Sequence, residues 1–315
     1  MRIVVTGATS FIGRAVVEEL LEKRHQVFAA VRPDSAGRGE LETMQRETGG
    51  RLTVLPVDLS ACGTLDRHPA LEGRADLWLH LGWEGSGSAN RTNPEIQARN
   101  IGYALEALGA AARLGCTRFL FSGSQAEYGI TDGLMREDSP CHPVSEYGKD
   151  KLEVCRRAGE KAGELGITYL HTRIFSVYGP GDHPWSLVSS CVDTFLKGGH
   201  MEFGACTQLW NYLYIKDAVR AITGLLLAKS PSGVYNVAGN DTRPLREFIG
   251  EIHRLCGGRG TFEYRKRPPN AEGVVSLNPD TGKLYRAANF QPRISFEEGI
   301  REMIANHEFY KENSK

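Results

Sequence analysis

The sequence predicts an α/β protein, in which a doubly wound parallel sheet carries helices on both faces and is followed by a smaller C-terminal lobe. Two observations predict this. Short apolar runs alternate with stretches of helical periodicity as far as Arg173, which is the pattern of parallel strands joined by crossover helices. Beyond Arg173 the alternation loosens, and pairs of glycines and prolines interrupt it. A chain of 315 residues is long enough for one large domain or two intimate ones.

The individual elements follow from the period of the apolar residues. Strands are expected at Arg2–Thr6, Gln26–Val31, Leu52–Val57, Asp76–Leu81, Thr117–Ser122 and Ile167–Arg173. Helices are expected between them at Phe11–Arg24, Asn93–Leu114 and Ser145–Leu165. The later part should contain helices at Lys216–Ala228, Leu245–Leu255 and Ser295–His307. One more strand, Gly233–Val237, could return to the main sheet.

The composition excludes several classes of protein. Lys plus Arg and Asp plus Glu each number 38, and a net charge of zero argues against a general nucleic-acid binder. The cysteines are scattered and form no CxxC pair, so we expect neither a disulfide framework nor a metal site. The chain opens on a strand-like run, and no apolar run approaches the ~20 residues of a membrane span. These features predict a cytoplasmic protein that does not bind membranes.

The first strand–helix junction has the glycine spacing of a phosphate cradle. A glycine at the strand end permits a tight turn, a second lets the helix pack closely, and exposed amides at the helix start can hold a pyrophosphate. The usual middle glycine is Ser10 here. A glycine pair alone could be a mere turn, but its place on the first strand of an alternating chain favours a Rossmann-like dinucleotide site. That site would comprise Gly7, Thr9, Ser10, Phe11, Ile12 and Gly13.

The tips of the following strands should complete the cofactor site, because open parallel sheets bind ligands at the carboxyl ends of their strands. Arg32 follows the second strand, where a cation can meet the 2′-phosphate of NADP; the alternative is a solvated surface arginine. Asp58 could lie beside the adenine or could only cap a helix. We therefore expect NADP in preference to NAD. Further cofactor contacts are expected from Leu59, Leu81, Gly82 and Ser122.

Three residues form a candidate catalytic set. Tyr147 and Lys151 are four residues apart, on one face of a helix, and Ser124 follows the preceding strand. A phenol has a reference pKa near 10 and must act near pH 7, and a nearby ammonium favours its ionised form. Lys151 fits as that ammonium, and Tyr147 as the group that exchanges a proton while a nicotinamide exchanges a hydride. A Tyr-x-x-x-Lys pair alone is usually surface chemistry, so the interpretation depends on all three parts together.

In this order and spacing, the cradle, Ser124 and the Tyr147/Lys151 pair resemble the extended short-chain dehydrogenase/reductase family, in particular its nucleotide-sugar epimerases and dehydratases. The resemblance extends over nearly the whole chain, through TGATSFIG, HLGW, FSGSQAEYG, YGKDK, RIFSVYGPG and NYLYIKDAVRAI. It implies that Ser124 hydrogen-bonds the reacting sugar oxygen and that Asn100 and Tyr178 contact the cofactor. Asn100 could equally only pin a helix. The implied substrate site comprises Trp83, Ser124, Gln125, Ser176, Trp210 and Arg267.

Some positions depart from the family's pattern. Related 4,6-dehydratases carry Thr-Asp-Glu where this chain has Ser124-Gln125-Ala126, and neither Gln125 nor Ala126 can transfer the protons of water elimination. Glu127 follows one place later, so a shifted alignment would weaken this argument. Ser176 replaces an asparagine, and Trp210 replaces an arginine that often meets the substrate diphosphate. The cations that could replace it, or could merely be solvated, are Arg243, Arg265, Lys266 and Arg267.

The sequence thus predicts an NAD(P)-dependent 4-ketoreductase or 4-epimerase that acts on a nucleotide-linked sugar through a 4-keto species. Three alternatives remain: an unusual sugar-nucleotide dehydratase, a small-ketone reductase and a non-catalytic dinucleotide sensor, against which the intact catalytic set argues. Residues 1–173, rejoined by about 208–238, should form the dinucleotide-binding domain. Residues 174–207 and 239–315 should form the substrate lobe. A homodimer through the helices Asn93–Leu114 and Ser145–Leu165 is expected.

Overall fold

The computed structural model describes residues 1–131, 133–268 and 273–313. Its strands are β1 (Arg2–Thr6), β2 (Gln26–Val31), β3 (Leu52–Pro56), β4 (Leu77–His80), β5 (Arg118–Ser124), β6 (Thr168–Ile174), β7 (Ser176–Tyr178), β8 (His200–Glu202), β9 (Leu209–Tyr214), β10 (Gly233–Val237), β11 (Thr242–Pro244) and β12 (Thr261–Glu263). Its helices are α1 (Phe11–Glu22), α2 (Arg38–Glu47), α3 (Pro94–Arg113), α4 (Glu146–Leu165), α5 (Leu187–Leu196), α6 (Ile215–Leu227), α7 (Leu245–Leu255), α8 (Gly282–Ala288) and α9 (Phe296–Asn313).

The main sheet has the strand order β10-β6-β5-β4-β1-β2-β3, and every neighbouring pair is parallel. The order reverses at β1, which lies between β2 and β4. In such sheets the carboxyl ends of the two strands at the reversal open a crevice for ligands. The fold class predicted from the sequence is confirmed.

Side chains that alternate along each strand fill two cores, one on either face of the sheet. In β1, Ile3 and Val5 belong to the core that α1 and α6 cover. Val4, between them, belongs to the opposite core, which α3 and α4 cover. Both faces are therefore buried, which explains why these strands are almost wholly apolar.

The predicted elements of the main sheet agree with the structure to within two residues at each end. The largest difference that matters for the site is in β5, which continues to Ser124. The helix α2 was not predicted, because its residues are mostly polar and only Leu41 among them is buried.

The later part of the chain builds two smaller sheets. One has the order β11-β9-β7, and β8 pairs with β12 in the other. The strand β10 does return to the main sheet, where it pairs with β6. The strand β9 lies instead between β7 and β11. The helix α6, which follows β9, packs against α1 beside the main sheet. The division into two lobes itself stays a prediction.

Candidate active site

The turn between β1 and α1 has the tight geometry that its glycines predict. Gly7 has a φ of +72°, and a Cβ there would lie 2.6 Å from the backbone nitrogen of Gly82. A Cβ on Gly13 would overlap the carbonyl oxygen of Gly7. Ser10 caps α1: its hydroxyl accepts from the Gly13 N–H (3.1 Å) and donates to the Gly7 carbonyl (2.8 Å). The turn that leads into α1 thus lies against the backbone just after β4, and the amides of a helix start at such a place can hold a pyrophosphate.

The tips of β2 and β3 bring together two predicted cofactor residues. Arg32 is exposed just after β2, close enough to Asp58 to influence its charge. Asp58 caps the following 3-10 turn, accepting from the backbone N–H (3.0 Å) and the hydroxyl (2.7 Å) of Ser60. These bonds, and then Arg32, lower the pKa of Asp58. Leu59 packs over Gly82, where a Cβ would lie 2.7 Å from Leu59 Cδ1.

The catalytic set lies at the carboxyl end of β5. Ser122 and Ser124 are buried there, and α4 begins at Glu146, so Tyr147 and Lys151 occupy its first two turns. The Nζ of Lys151 donates a hydrogen bond to the Ser122 carbonyl at 2.5 Å. A Cβ on Gly148 would lie 2.5 Å from the carbonyl oxygen of Ala126, so the start of α4 packs directly on the turn after Ser124. This packing gathers the predicted serine, tyrosine and lysine at one place.

Lys151 is held among aromatic rings. Its Nζ lies 3.9 Å from the ring centroid of Trp83, 4.7 Å from that of Phe121 and 5.6 Å from that of Tyr147. The residue is only 2% exposed. Burial is the main cause that lowers the pKa of Lys151 to about 7, Glu127 acts to raise that pKa, and Arg91 lowers it further. The ammonium is therefore poised to lose its proton near neutral pH.

Tyr147 has two neighbours that the sequence did not indicate as partners. Its ring meets that of Trp83 edge to face, with centroids 5.9 Å apart. The guanidinium carbon of Arg91 lies 4.7 Å from the centroid of the Tyr147 ring. The backbone N–H of Tyr147 also donates to the Arg91 carbonyl at 2.9 Å. The tyrosine is 8% exposed, so its ring is mostly shielded from water.

Trp83 is fixed by another residue that sequence reasoning missed. Its Nε1 donates to Oε1 of Gln97 at 2.7 Å, and Gln97 in turn donates through Nε2 to the carbonyls of Gly85 and Asn90. Gln97 is fully buried on α3. A polar residue on the apolar face of this helix was the one signal that could have revealed it.

Two predicted cofactor residues have other contacts for their side chains. Asn100 bonds the backbone N–H and carbonyl of Glu84 and the carbonyls of Ile96 and Gln97, so it pins the loop after β4 to α3. Tyr178 is buried, and its hydroxyl donates to the Phe296 carbonyl at 3.2 Å. Both side chains thus have partners within the protein, and the expected cofactor contacts of Asn100 and Tyr178 stay a prediction.

The predicted substrate residues lie on several elements of the structure. Gln125 begins the turn after Ser124, and Ser176 lies opposite Tyr212 where β7 pairs with β9. Trp210 lies opposite Arg243 where β9 pairs with β11. Arg243 forms ion pairs with Asp241 and Glu251 and so is not a free cation for a diphosphate. The exposed loop after β12 carries Arg265, Lys266 and Arg267.

The structure also has a crevice that lies away from the candidate catalytic residues. This crevice of about 540 Å³ opens at the opposite, amino-terminal edge of the main sheet, among Arg2, Arg24, Arg51 and Arg74. It contains no member of the catalytic set.

Nowhere in residues 1–131, 133–268 and 273–313 does a helix have the length and apolar character needed to cross a membrane.

Comparison with known proteins decides the family. The model of the NAD dependent epimerase/dehydratase family matches residues 3–238 of the 315. The chain belongs to this family. The predicted resemblance is thereby confirmed, since these proteins are of the extended short-chain type.

Members of the family resemble the chain along its length. A Bacillus subtilis protein described as an uncharacterised UDP-glucose epimerase is 27% identical over 97% of both chains. A UDP-N-acetyl-α-D-glucosaminuronate decarboxylase of Bacillus cytotoxicus is 23% identical over 96% of both. Among solved structures, the UDP-glucose 4-epimerase of Thermotoga maritima with UDP-glucose superposes with a TM-score of 0.86 at 24% identity, and each chain is fully covered. MoeE5 with UDP-glucuronic acid and NAD gives 0.81 at 26% identity, again over both whole chains.

Proposed function

We propose that the protein is an NAD(P)-dependent enzyme that interconverts a hydroxyl and a ketone at C4 of a nucleotide-linked sugar, as a 4-ketoreductase or a 4-epimerase. The observation that supports this most strongly is the buried Tyr147/Lys151 pair at the end of β5, with the Nζ of Lys151 bonded to the Ser122 carbonyl at 2.5 Å. Family membership and the named activities of the relatives agree with it.

The residues divide the chemistry between them. When bound, the nicotinamide supplies or accepts a hydride at the sugar C4. Tyr147 gives a proton to the C4 oxygen or takes one from it, and Ser124 hydrogen-bonds that oxygen so that the proton moves along a fixed line. The ammonium of Lys151 favours the phenolate of Tyr147 and holds the nicotinamide ribose. The amides at the start of α1 bind the pyrophosphate. The absence of a side chain at Gly7, which lies close to Gly82, lets the backbone approach the pyrophosphate.

Dehydration at C5 and C6 fits the site less well. Gln125 and Ala126 stand where the related dehydratases carry their acidic pair, and neither can transfer a proton. Glu127, the nearest carboxylate in sequence, is fully buried and bonded to His171 and Arg173. It therefore cannot serve as the missing acid or base. A small-ketone reductase remains the second candidate, because Trp210 replaces the usual arginine and Arg243 is already paired.

For the cofactor we propose a preference for NADP over NAD. The support is Arg32, which is exposed at the tip of β2 beside the cradle and forms no ion pair with a residue in the described part of the chain. MoeE5, the solved relative described above, holds NAD, so the proposal depends on this chain's own arginine.

We further propose a cytoplasmic homodimer. All seven cysteines are free, as in a reducing compartment, and Tyr103 and Leu152 remain half-buried on α3 and α4.

The test is a direct assay of the purified protein with UDP- and dTDP-linked hexoses and their 4-keto derivatives. Each sugar is incubated with catalytic NAD⁺, and separately with stoichiometric NADPH or NADH, and the product is analysed by NMR. A C4 epimer without net use of cofactor identifies an epimerase, and a 4-hydroxyl product with equal consumption of reduced cofactor identifies a ketoreductase. Turnover of simple ketones in the absence of turnover of any nucleotide sugar would reject the proposal in favour of the second candidate.

A further inference from the structure

A buried carboxylate lies directly behind the catalytic serine. Glu127 is fully buried at the end of the turn that follows β5. Its Oε1 accepts hydrogen bonds from the backbone N–H of Ser124 (2.8 Å) and from Nε2 of His171 (2.9 Å). Its Oε2 accepts one from Nε of Arg173 (2.9 Å). His171 and Arg173 both stand on β6, so the carboxylate is fixed between β5 and its neighbouring strand.

This carboxylate is ionised at neutral pH. Burial acts to raise the pKa of Glu127, but His171 and Arg173 outweigh it and hold that pKa below its usual range. Burial likewise opposes a charge on His171, yet Glu127, together with Cys155 of α4, raises the pKa of His171 to about 9. A buried carboxylate is tolerated only when it is paired and hydrogen-bonded, and here every donor is in place.

The local sequence is adapted to the ion pair. A Cβ on Gly123 would overlap both Nε2 of His171 and Oε1 of Glu127. The glycine before Ser124 is therefore required by Glu127, four residues further along the chain. The ring of His171 also stacks on that of Phe121, with centroids 5.4 Å apart, and its Nδ1 lies 3.0 Å from the hydroxyl of Tyr169.

The same end of β5 binds the catalytic lysine. Glu127 accepts from the backbone N–H of Ser124, and Lys151 donates to the carbonyl of Ser122. Main-chain groups two residues apart on a strand point to the same side. The carboxylate and the ammonium therefore attach to neighbouring positions on one edge of β5. Because both side chains are buried, their attraction is weakly screened by water.

We propose, on the basis of the function proposed above, that Glu127 is a positioning residue of the active site. Its carboxylate fixes the main chain that carries Ser124 and supplies the negative charge that keeps Lys151 in its ammonium form. Glu127 acts only through these two residues. It touches neither the sugar nor the cofactor.

The other charged and titratable groups that face Lys151 are Arg91, Tyr147 and His80. Arg91 disfavours the ammonium form of Lys151. Burial, with a smaller contribution from Lys151, lowers the pKa of His80 to about 3, so His80 is neutral throughout the working range. Among the described residues, Glu127 is the carboxylate that acts to raise the pKa of Lys151. Removing its charge should therefore let Lys151 lose its proton at lower pH.

The experiment measures the affinity for the reduced cofactor as a function of pH, because Lys151 is expected to hold the nicotinamide ribose. The dissociation constant of NADPH or NADH, whichever binds more tightly, is measured by calorimetry between pH 6 and about 9. In the wild type it should weaken as Lys151 loses its proton. In Glu127→Gln, which keeps the shape and removes the charge, the transition should lie at lower pH. Near pH 8 the variant should then bind about tenfold more weakly.

Glu127→Asp is the matched control, since it keeps the charge and shortens the side chain. Its transition should stay at the wild-type pH even where its melting temperature falls. If Glu127→Gln does not fold, the double variant Glu127→Gln/His171→Gln replaces it: two amides can keep a hydrogen bond where the buried ion pair was, and the transition should still lie at lower pH because the carboxylate is gone. A purely structural role predicts an equal loss of affinity at every pH. That result, or a wild-type affinity without a pH transition, overturns the proposal.

This measurement requires no sugar. An enzyme that turns over no nucleotide sugar would sink the proposed function and leave the cofactor titration intact. A shifted transition in Glu127→Gln would then still support the role of Glu127 beside Lys151. Conversely, turnover of a nucleotide sugar with an unshifted transition would reject only the role of Glu127.

Discussion

The guanidinium of Arg91 lies over the ring of Tyr147, with its central carbon 4.7 Å from the ring centroid. Arg91 donates through Nε to the Ser86 carbonyl, and its guanidinium forms no ion pair with a residue in the described ranges. A cation over a phenol ring is attracted to the ring's electron density and favours the ionised phenolate. Tyr147 is thus approached by two cations, Lys151 from its own helix and Arg91 from the loop before α3.

Arg91→Met should therefore raise the pH at which Tyr147 titrates. A loss of positive charge disfavours the phenolate, so the limb of the kcat/KM profile that reports Tyr147 moves to higher pH. Burial is the main cause of the lowered pKa of Lys151, but Arg91 contributes, so the limb that reports Lys151 should move in the same direction. Arg91→Lys keeps the charge and should restore most of the wild-type profile. Identical profiles for all three proteins would exclude an electrostatic role for Arg91.

Lys151 should make the stability of the cofactor-free protein depend on pH. Its pKa falls from 10.5 to about 7 on folding, chiefly because of burial. Between these values the unfolded chain binds a proton that the native chain lacks, so the contribution of Lys151 to the free energy of unfolding rises with pH. We compare urea unfolding of wild type and Lys151→Met from pH 7 to about 9. The advantage of the variant should shrink as the pH rises, and a constant difference would contradict the lowered pKa.

Arg32→Ala should weaken NADPH selectively. The wild type should bind NADPH at least about tenfold more tightly than NADH, because the cation meets the 2′-phosphate that only NADPH carries. The variant should lose most of this difference with little change in the affinity for NADH. Calorimetric titrations of NADPH and NADH against the wild type and Arg32→Ala measure this selectivity. Equal affinities in the wild type, or a preference for NADH, would remove the argument from Arg32.

Gly13→Ala should weaken the cradle itself. The new Cβ would overlap the Gly7 carbonyl oxygen, so α1 must move away from β1. We expect a loss of stability of about 1–3 kcal/mol and a weaker affinity for either cofactor. Gly39→Ala is the control, because a Cβ there meets nothing within 4 Å in the described structure. A Gly13→Ala protein with wild-type melting temperature and cofactor affinity would contradict the close packing.

The sequence predicted what depends on neighbours along the chain. The turn around Gly7 and Gly13, the helix that presents Tyr147 and Lys151 together, and the strand that leads to Ser124 are local patterns. The structure has each of them. The strand β10 was found as well, although its return to the main sheet depends on pairing with β6 over a long separation.

The rest depends on packing between distant segments. Arg91 meets Tyr147 across 56 residues of sequence, and no local pattern records that contact. From the sequence, Glu127 was considered only as an acid that a shifted alignment would offer to a dehydratase. Its ion pairs were not foreseen, because His171 and Arg173 stand on β6, far along the chain. Asn100 and Tyr178 were assigned by their positions in a family pattern, and their hydrogen bonds to the loop after β4 and to the Phe296 carbonyl were not part of that pattern.

Replacement of Tyr147 by phenylalanine tests the central claim most directly. The change removes only the hydroxyl, so the melting temperature and the cofactor affinity should stay close to the wild type. The proton transfer that Tyr147 supplies is typically worth about 10²–10⁴-fold, and turnover of the nucleotide sugar should fall by that factor or more. Turnover is measured at saturating sugar and cofactor, with Tyr103→Phe as a control outside the catalytic set. A Tyr147→Phe enzyme with near-normal turnover would contradict the assignment of the site.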